Sequence, residues 1–198
     1  MHNSILINLN PHKRMIVAVT LVFWAAGMQC LILIRFSNAL LTDQNMALLS
    51  VSRTILIITS ITGMFFYWIL VTLLLKSSLM ITRKINTDFR VLMQWIGWGF
   101  FVFVLSGFTI NIILNGYLNN ISSFMSEHKN MFSAITAQTP YKTIHHINQS
   151  ANFLLWIWAI VVIKKINRLS IKDTTVLFIT LVCIFGLLEI GIKVLFRS

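Results

Sequence analysis

The chain has 198 residues, of which 57% are hydrophobic and 11% are charged, and its formal net charge is +11. A water-soluble protein of this composition would expose large apolar patches, so we expect a single all-α domain, residues 1–198, embedded in a membrane. Because the basic residues flank apolar stretches, they favour the anionic inner leaflet as their counter-charge and argue against nucleic acid as a partner.

Five apolar stretches follow one another along the chain, each near the ~20 residues that a helix needs to cross a ~30 Å hydrocarbon core. They occupy residues 15–34, 54–75, 91–114, 147–163 and 174–196. The first is longer than the ~7–15 apolar residues of a secretory signal, so we expect it to be retained as a helix. The sequence therefore predicts a multi-pass protein of the inner or plasma membrane with five transmembrane helices.

Lys and Arg residues are distributed unevenly, since alternate gaps between the spans hold ten of them, against six in the other gaps and at the C-terminal end, where Lys193 lies within span five. The positive-inside rule places the richer gaps in the cytoplasm, with the N-terminus inside and the C-terminus outside. The two inner loops, residues 76–90 and 164–173, are short and make their flanking spans antiparallel neighbours. The ten inner basic residues are Lys13, Arg14, Lys76, Arg83, Lys84, Arg90, Lys164, Lys165, Arg168 and Lys172.

Four aromatic residues lie toward the predicted inner ends of spans two and three. Tyr67 and Trp68 belong to span two, and Trp95 and Trp98 follow Arg90 in span three. Amphipathic rings favour the head-group region, so we expect all four at the inner membrane interface.

The longest gap, residues 115–146, is predicted to be an outer loop that Pro140 interrupts. Apolar residues recur near helical spacing over 121–135, which predicts a short amphipathic helix on the outer interface or over the end of the bundle.

Span three carries small and amide side chains at successive intervals of four. They are Gly99, Phe103, Gly107, Asn111 and Asn115. This spacing places them on one helix face and predicts a helix-packing stripe, although an alternative role in binding a ligand stays open. Its expected partners are polar and small residues of the first two spans, Gln29, Ser60, Thr62 and Gly63.

Glu189 in span five is the strongest intramembrane ionisable candidate, because an unpaired charge at mid-bilayer costs about 2.5–3.5 kcal/mol. Lys193 follows four residues later, which favours a local ion pair with both side chains snorkelling outward. The alternative is a contact with a substrate or partner.

Catalytic and metal-binding patterns are weak in this sequence. Glu127, His128, His145 and His146 lie in the predicted outer loop, but adjacent histidines point to different sides and their spacing is not that of a metal site. No carboxylate pair shares a span, and there is no nucleophile elbow, zinc-protease motif or phosphate-binding glycine loop. We therefore predict a protein that is not an enzyme, with no metal ion and no cofactor.

Three stretches carry a resemblance to a known family. They are NP at residues 10–11, TDFRVL at 87–92 leading into WIG at 95–97, and FLLWIW at 153–158 leading into KKINRLS at 164–170. Together they resemble the Yip family, five-span membrane proteins first known for binding Rab-type GTPases. With about fourteen residues before the first span, the chain resembles the bacterial type.

The resemblance implies a function beside ABC-type exporters, in protection against antimicrobial peptides, and brings no catalytic residues. The first hypothesis is thus a non-enzymatic membrane subunit that contacts lipids and the spans of a transporter with a separate ATPase chain. It would serve export of, or protection from, a membrane-active peptide. One alternative is a self-contained carrier or channel for a small solute, and another is a membrane-shaping or trafficking adaptor.

Overall fold

The computed structural model describes residues 10–40, 46–83, 85–124 and 139–195, and the side chains of 10–35, 51, 53–82, 85–116 and 142–183. Within these ranges the chain forms helices and no strand, so the prediction of an all-α protein is confirmed. The helices are α1 (Pro11–Leu40), α2 (Met46–Arg83), α3 (Phe89–Gly99), α4 (Phe101–Phe124), α5 (Thr139–Ile166) and α6 (Ile171–Leu195).

Four stretches within the described residues are long and apolar enough to cross a membrane. They are Pro11–Arg35, Arg53–Thr82, Phe89–Gly116 and Lys142–Ile166. These stretches contain the first four predicted spans and support a multi-pass membrane protein. The fifth predicted span falls in α6, where the side chains after residue 183 lie outside the described set.

Side chains in the preceding loops fix where several helices begin. An oxygen that accepts a backbone N–H bond satisfies one of the donors that the first helical turn leaves unpaired. Pro11 adds to this in α1, because proline is favoured in the first turn of a helix. The caps are Asn10 Oδ1 to the His12 N–H at 3.1 Å, Asp88 Oδ1 to the Arg90 N–H at 2.9 Å, and Ser170 Oγ to the Asp173 N–H at 3.2 Å.

The tight turn between α5 and α6 is a Schellman-type helix end. Arg168 has a left-handed φ of 50°, and the N–H of Leu169 donates to the carbonyl of Lys164 at 3.1 Å. The buried Leu169 side chain joins the core cluster that contains Ile163. This pattern satisfies the last carbonyls of α5 and turns the chain directly into α6.

The prediction of an outer loop over residues 115–146 is wrong at both of its ends, where the chain is helical. Helix α4 continues to Phe124, and α5 already begins at Thr139 with Pro140 in its first turn. Polar residues past the hydrocarbon core stay helical because each added residue keeps a backbone hydrogen bond, and proline is tolerated in a first turn. The remainder of the predicted amphipathic helix, residues 125–135, lies outside the described residues.

Helix α1 lies at the centre of the bundle and packs against α2, α3 and α4. Helix α5 packs on the other side of α3 and α4, and α6 lies mainly against α2. The main core gathers around Trp68 and Phe100, while Ile32, Ile110, Leu114 and Ile144 form a second cluster toward the end that is predicted to face outward. Trp68 is only 1% exposed, so its expected place among the lipid head groups is wrong.

The third predicted span consists of two helices joined at Phe100. The N–H of Phe100 donates to Gly97 O at 3.2 Å, and that of Phe103 donates to Phe100 O at 2.9 Å. Both bonds bridge three residues instead of four, so the chain tightens there as in a 3₁₀ turn. The span was predicted as one helix because no proline marks the break.

Candidate functional site

The described residues offer three candidate functional regions: a basic end, a polar contact at the opposite end, and two grooves in the half of the bundle nearer that contact. The basic end is called inner and the opposite end outer, after the orientation predicted from the sequence. At the inner end, α3 is tied to its neighbours by indole N–H groups that donate to backbone carbonyls. Trp68 of α2 reaches Met93 O at 2.9 Å, and Trp158 of α5 reaches Trp95 O at 2.8 Å. Trp98 of α3 reaches Arg14 O in α1 at 3.4 Å.

The start of α1 is also held against α3 by polar side chains. Gln94 is 4% exposed, and its Nε2 donates to Pro11 O at 3.1 Å. The guanidinium carbon of Arg14 lies 5.7 Å from the centre of the Trp95 ring, within the range of a cation–π interaction. Burial of the Gln94 amide is therefore compensated by a hydrogen bond, and one inner cation is held on an aromatic face.

The loops that carry the inner basic residues meet at the same end of the bundle. Thr87 Oγ1 in the α2–α3 loop donates to Asn167 Oδ1 in the α5–α6 turn at 2.8 Å. Arg90, Lys164, Lys165, Arg168 and Lys172 are exposed there, and Lys76 is half-buried on α2. Lys13 and Arg14 belong to the start of α1 beside them, whereas the side chain of Arg83 and the whole of Lys84 lie outside the described residues.

The small residues of the stripe in span three contact two different helices. A Cβ added at Gly99 would lie 2.5 Å from Trp158 Cδ1 in α5. One added at Gly107 would lie 2.5 Å from Met28 Cβ in α1. Phe103 is buried in the core, 6.1 Å from the Tyr67 ring. The interruption at Phe100 separates Gly99 from the rest of the stripe, so a single helix does not cover it.

The amides at the outer end of the stripe contact Arg35, which directly follows the first apolar stretch and is one of the six Lys and Arg residues outside the predicted inner gaps. Its Nη1 donates to Asn111 O at 3.1 Å and to Asn115 Oδ1. The Asn111 side chain donates back to Gly107 O at 2.8 Å. Arg35 thereby links α1 to α4. The sequence signal for this contact was weak: a cation ends span one on the side of the membrane where two amides end span three.

None of the contacts described above for the stripe comes from a residue that was predicted as its partner. Thr62 is exposed, and a Cβ added at Gly63 would meet no atom within 4 Å. Ser60 donates to Leu56 O within its own helix at 2.7 Å, and Gln29 is half-buried on α1. Of the stripe's predicted partners, none provides the contact that Arg35 provides.

The remaining ionisable candidates lie largely outside the part of the chain with described side chains. Glu189 and Lys193 belong to α6, but the structure describes only their backbone. His145 and His146 are exposed on α5 with ring centroids 6.1 Å apart, while Glu127 and His128 fall outside the described residues. Where side chains are described, no three His, Cys, Asp or Glu residues gather as a metal site would require.

Two grooves open on the outer half of the bundle. The α1–α2 groove has a volume of about 540 Å³ and is lined by Phe23, Trp24, Gly27, Met28, Cys30, Leu31, Ile57 and Ile61. The α4–α5 groove has a volume of about 440 Å³ and is lined by Val102, Leu105, Ser106, Thr109, Thr143, His146, Ile147, Ser150, Ala151 and Leu154. The first is apolar throughout, whereas the second combines hydroxyl groups and an imidazole with apolar side chains.

Comparison with protein-family models, curated proteins and solved structures finds no match to this chain. The resemblance to the Yip family therefore stays a prediction.

Proposed function

We propose that the chain is a non-enzymatic subunit of a transport complex in the cell membrane, where it packs against the membrane-spanning helices of an exporter. The ATPase of that complex is a separate chain. The transported or excluded compound is a membrane-active peptide, as the resemblance to bacterial Yip-type proteins implies. In this proposal α6 is the fifth span, the N-terminus is inside and the C-terminus is outside.

The observation that carries the proposal is the α1–α2 groove, which lies along the least buried of the four candidate spans. Only 17% of the most apolar window of α2 is buried, against 50% for the span formed by α3 and α4. Trp24 and Phe23 stand exposed at the groove, and a Cβ added at Gly27 would meet no atom within 4 Å. A small residue beside large exposed side chains is the kind of surface onto which another transmembrane helix packs.

The basic inner end supports the same proposal from the other side of the membrane. Its exposed cations, such as Lys164, Lys165 and Arg168, lie close to the positions expected for lipid head groups. They anchor the subunit to the anionic leaflet and are placed to meet an acidic surface of a cytoplasmic partner. The indole bonds around α3 keep this end fixed, while the α1–α2 groove remains open for a neighbour.

The test is purification in mild detergent with identification of the chains that accompany the protein. We expect a membrane-spanning permease and an ATPase with the wild-type chain. A Gly27→Leu variant places a side chain in the α1–α2 groove and is expected to lose both. It is also expected to leave cells that depend on the protein more sensitive to a membrane-active peptide.

Gly63→Leu is the matched control, because this glycine of α2, like Gly27 of α1, has open space around it but does not line the groove. It is expected to retain the permease, the ATPase and peptide resistance. Purification of the wild-type chain alone, together with unchanged peptide sensitivity in cells that lack it, would contradict the proposal.

A further inference from the structure

The α4–α5 groove differs from the α1–α2 groove in a way that points to a ligand of its own. Both lie in the outer half of the bundle and have similar volumes, about 440 and 540 Å³. Cavities of this size accommodate small molecules. Only the α4–α5 groove carries a set of polar side chains, on two helices that face each other across it.

Polarity changes along the length of this groove. Helices α4 and α5 are antiparallel, since Gly99 lies against Trp158 while Ile110 and Leu114 cluster with Ile144. Thr143 and His146 therefore lie nearest the outer surface, and Leu154 and Val102 lie deepest. From Thr143 to Leu154 the helix rises by ~16 Å, about half the ~30 Å hydrocarbon core. The groove thus spans the depth of one leaflet, with its polar part outward.

The hydroxyl groups in the groove are arranged to accept hydrogen bonds. Ser106 Oγ donates to Phe103 O at 3.1 Å, and Thr109 Oγ1 donates to Leu105 O at 3.0 Å. Each hydroxyl has one proton, so these two oxygens present lone pairs. A ligand that carries its own hydroxyl donors satisfies them.

Positive charge lies at the outer mouth of the groove. Lys142 is exposed one helical turn beyond His146 on the same side of α5. An anionic head group is therefore attracted to Lys142 at the level where lipid head groups begin.

We infer that the α4–α5 groove binds an anionic amphiphile of the outer leaflet whose head group carries hydroxyl donors, as phosphatidylglycerol does. The phosphate lies near Lys142 and His146, the hydroxyl groups of the head meet Thr109 and its neighbours, and an acyl chain extends to Leu154. This site is separate from the α1–α2 groove and does not depend on a partner chain.

The experiment uses the full chain in lipid nanodiscs with two photoactivatable probes. One is phosphatidylglycerol with a diazirine in its acyl chain, and the other is phosphatidylcholine with the same chain. After irradiation, mass spectrometry of peptides locates the labels. We expect phosphatidylglycerol to label α4 and α5 preferentially, and both lipids to label the α1–α2 groove equally.

Two variants test separately whether the head group is recognised and whether the acyl chain needs the space beside Leu154. Lys142→Gln with His146→Gln is expected to lower labelling of the α4–α5 groove by phosphatidylglycerol about fivefold, as loss of one cation near a head group predicts. Leu154→Trp is expected to abolish labelling there by both lipids. Leu31→Trp in the α1–α2 groove is the matched control, because Leu31 and Leu154 are both 48% exposed. It is expected to leave labelling of the α4–α5 groove intact.

Equal labelling of the α4–α5 groove by the two lipids would overturn the inference, since it would mean that the head group is not recognised. Unchanged labelling in the Lys142→Gln, His146→Gln variant would do the same. That variant alters only exposed side chains and keeps the test valid if Leu154→Trp lowers the stability of the bundle.

Discussion

Gly97 sets the distance between α1 and α3 at the centre of the bundle. A Cβ added there would lie 2.6 Å from Ala18 Cβ and 3.0 Å from Trp68 Cζ2. Ala18 Cβ is attached directly to the backbone and cannot move away as a long side chain can. The two helices therefore approach as closely as they do because residue 97 has no side chain.

Replacement of Gly97 by alanine is expected to lower the free energy of unfolding by about 1–3 kcal/mol, the usual cost of overpacking a filled core. Unfolding in mixed micelles, followed by circular dichroism, measures it. Gly63→Ala is the control, because its added methyl group meets no atom within 4 Å and alanine is the better helix former. Equal destabilisation by both substitutions would show that loss of glycine itself, not the contact with Ala18, is responsible.

The sequence indicated which polar residues need a partner, but not which residue each of them contacts. Arg35 was counted among the loop charges because it ends an apolar run, yet its guanidinium bonds to Asn111 and Asn115 on α4. The amides themselves stood out in the sequence, since polar side chains in a span need partners. Their partner depends on how α1 and α4 cross, which a pattern along one helix does not contain.

At the scale of elements, the length of the apolar stretches predicted which parts of the chain form helices, but not the residues at which those helices end. The four candidate spans contain the first four predicted ones, since ~20 apolar residues are required to cross the hydrocarbon core. The helices extend beyond them, as α2 does to Arg83, because the backbone loses nothing by staying helical in polar surroundings. The break at Phe100 has no proline to reveal it and is visible only in the hydrogen bonds of the backbone, which bridge three residues there.

Indole N–H groups hold the short helix α3 against its neighbours, so the loss of one such donor is expected to weaken its packing. Trp158→Phe removes the Nε1 donor to Trp95 O but keeps an aromatic ring against Gly99. We expect the free energy of unfolding to fall by about 1 kcal/mol, the net value of one such bond.

Trp24→Phe is the control for this substitution, because Trp24 is 61% exposed on α1 and belongs to the α1–α2 groove. It is expected to leave unfolding in micelles unchanged. A Trp158→Phe protein as stable as the wild type would show that packing of the ring, and not its N–H group, holds α5 against α3.

At the scale of the whole molecule, the bundle has one basic end built from three separate parts of the chain. The start of α1, the α2–α3 loop and the α5–α6 turn meet there through the bonds Gln94 to Pro11 and Thr87 to Asn167. The sequence predicted this meeting from short loops and alternating charge. It could not show the indole hydrogen bonds that hold α3 at this end, since two of their donors, Trp68 and Trp98, were predicted to lie at the membrane interface.

This arrangement makes the orientation of the bundle testable with one pair of matched variants on α5. Lys142→Cys and Lys165→Cys both replace exposed lysines, and they are ~35 Å apart along the helix, more than the ~30 Å hydrocarbon core. In a background with Cys30→Ala and Cys183→Ala, a membrane-impermeant maleimide is expected to label the first in intact cells and the second only after permeabilisation. The reverse pattern would invert the orientation, and labelling of both in intact cells would mean that α5 does not cross the membrane. The expected pattern follows from placing the Lys164–Lys165–Arg168 end in the cytoplasm, where the positive-inside rule puts it.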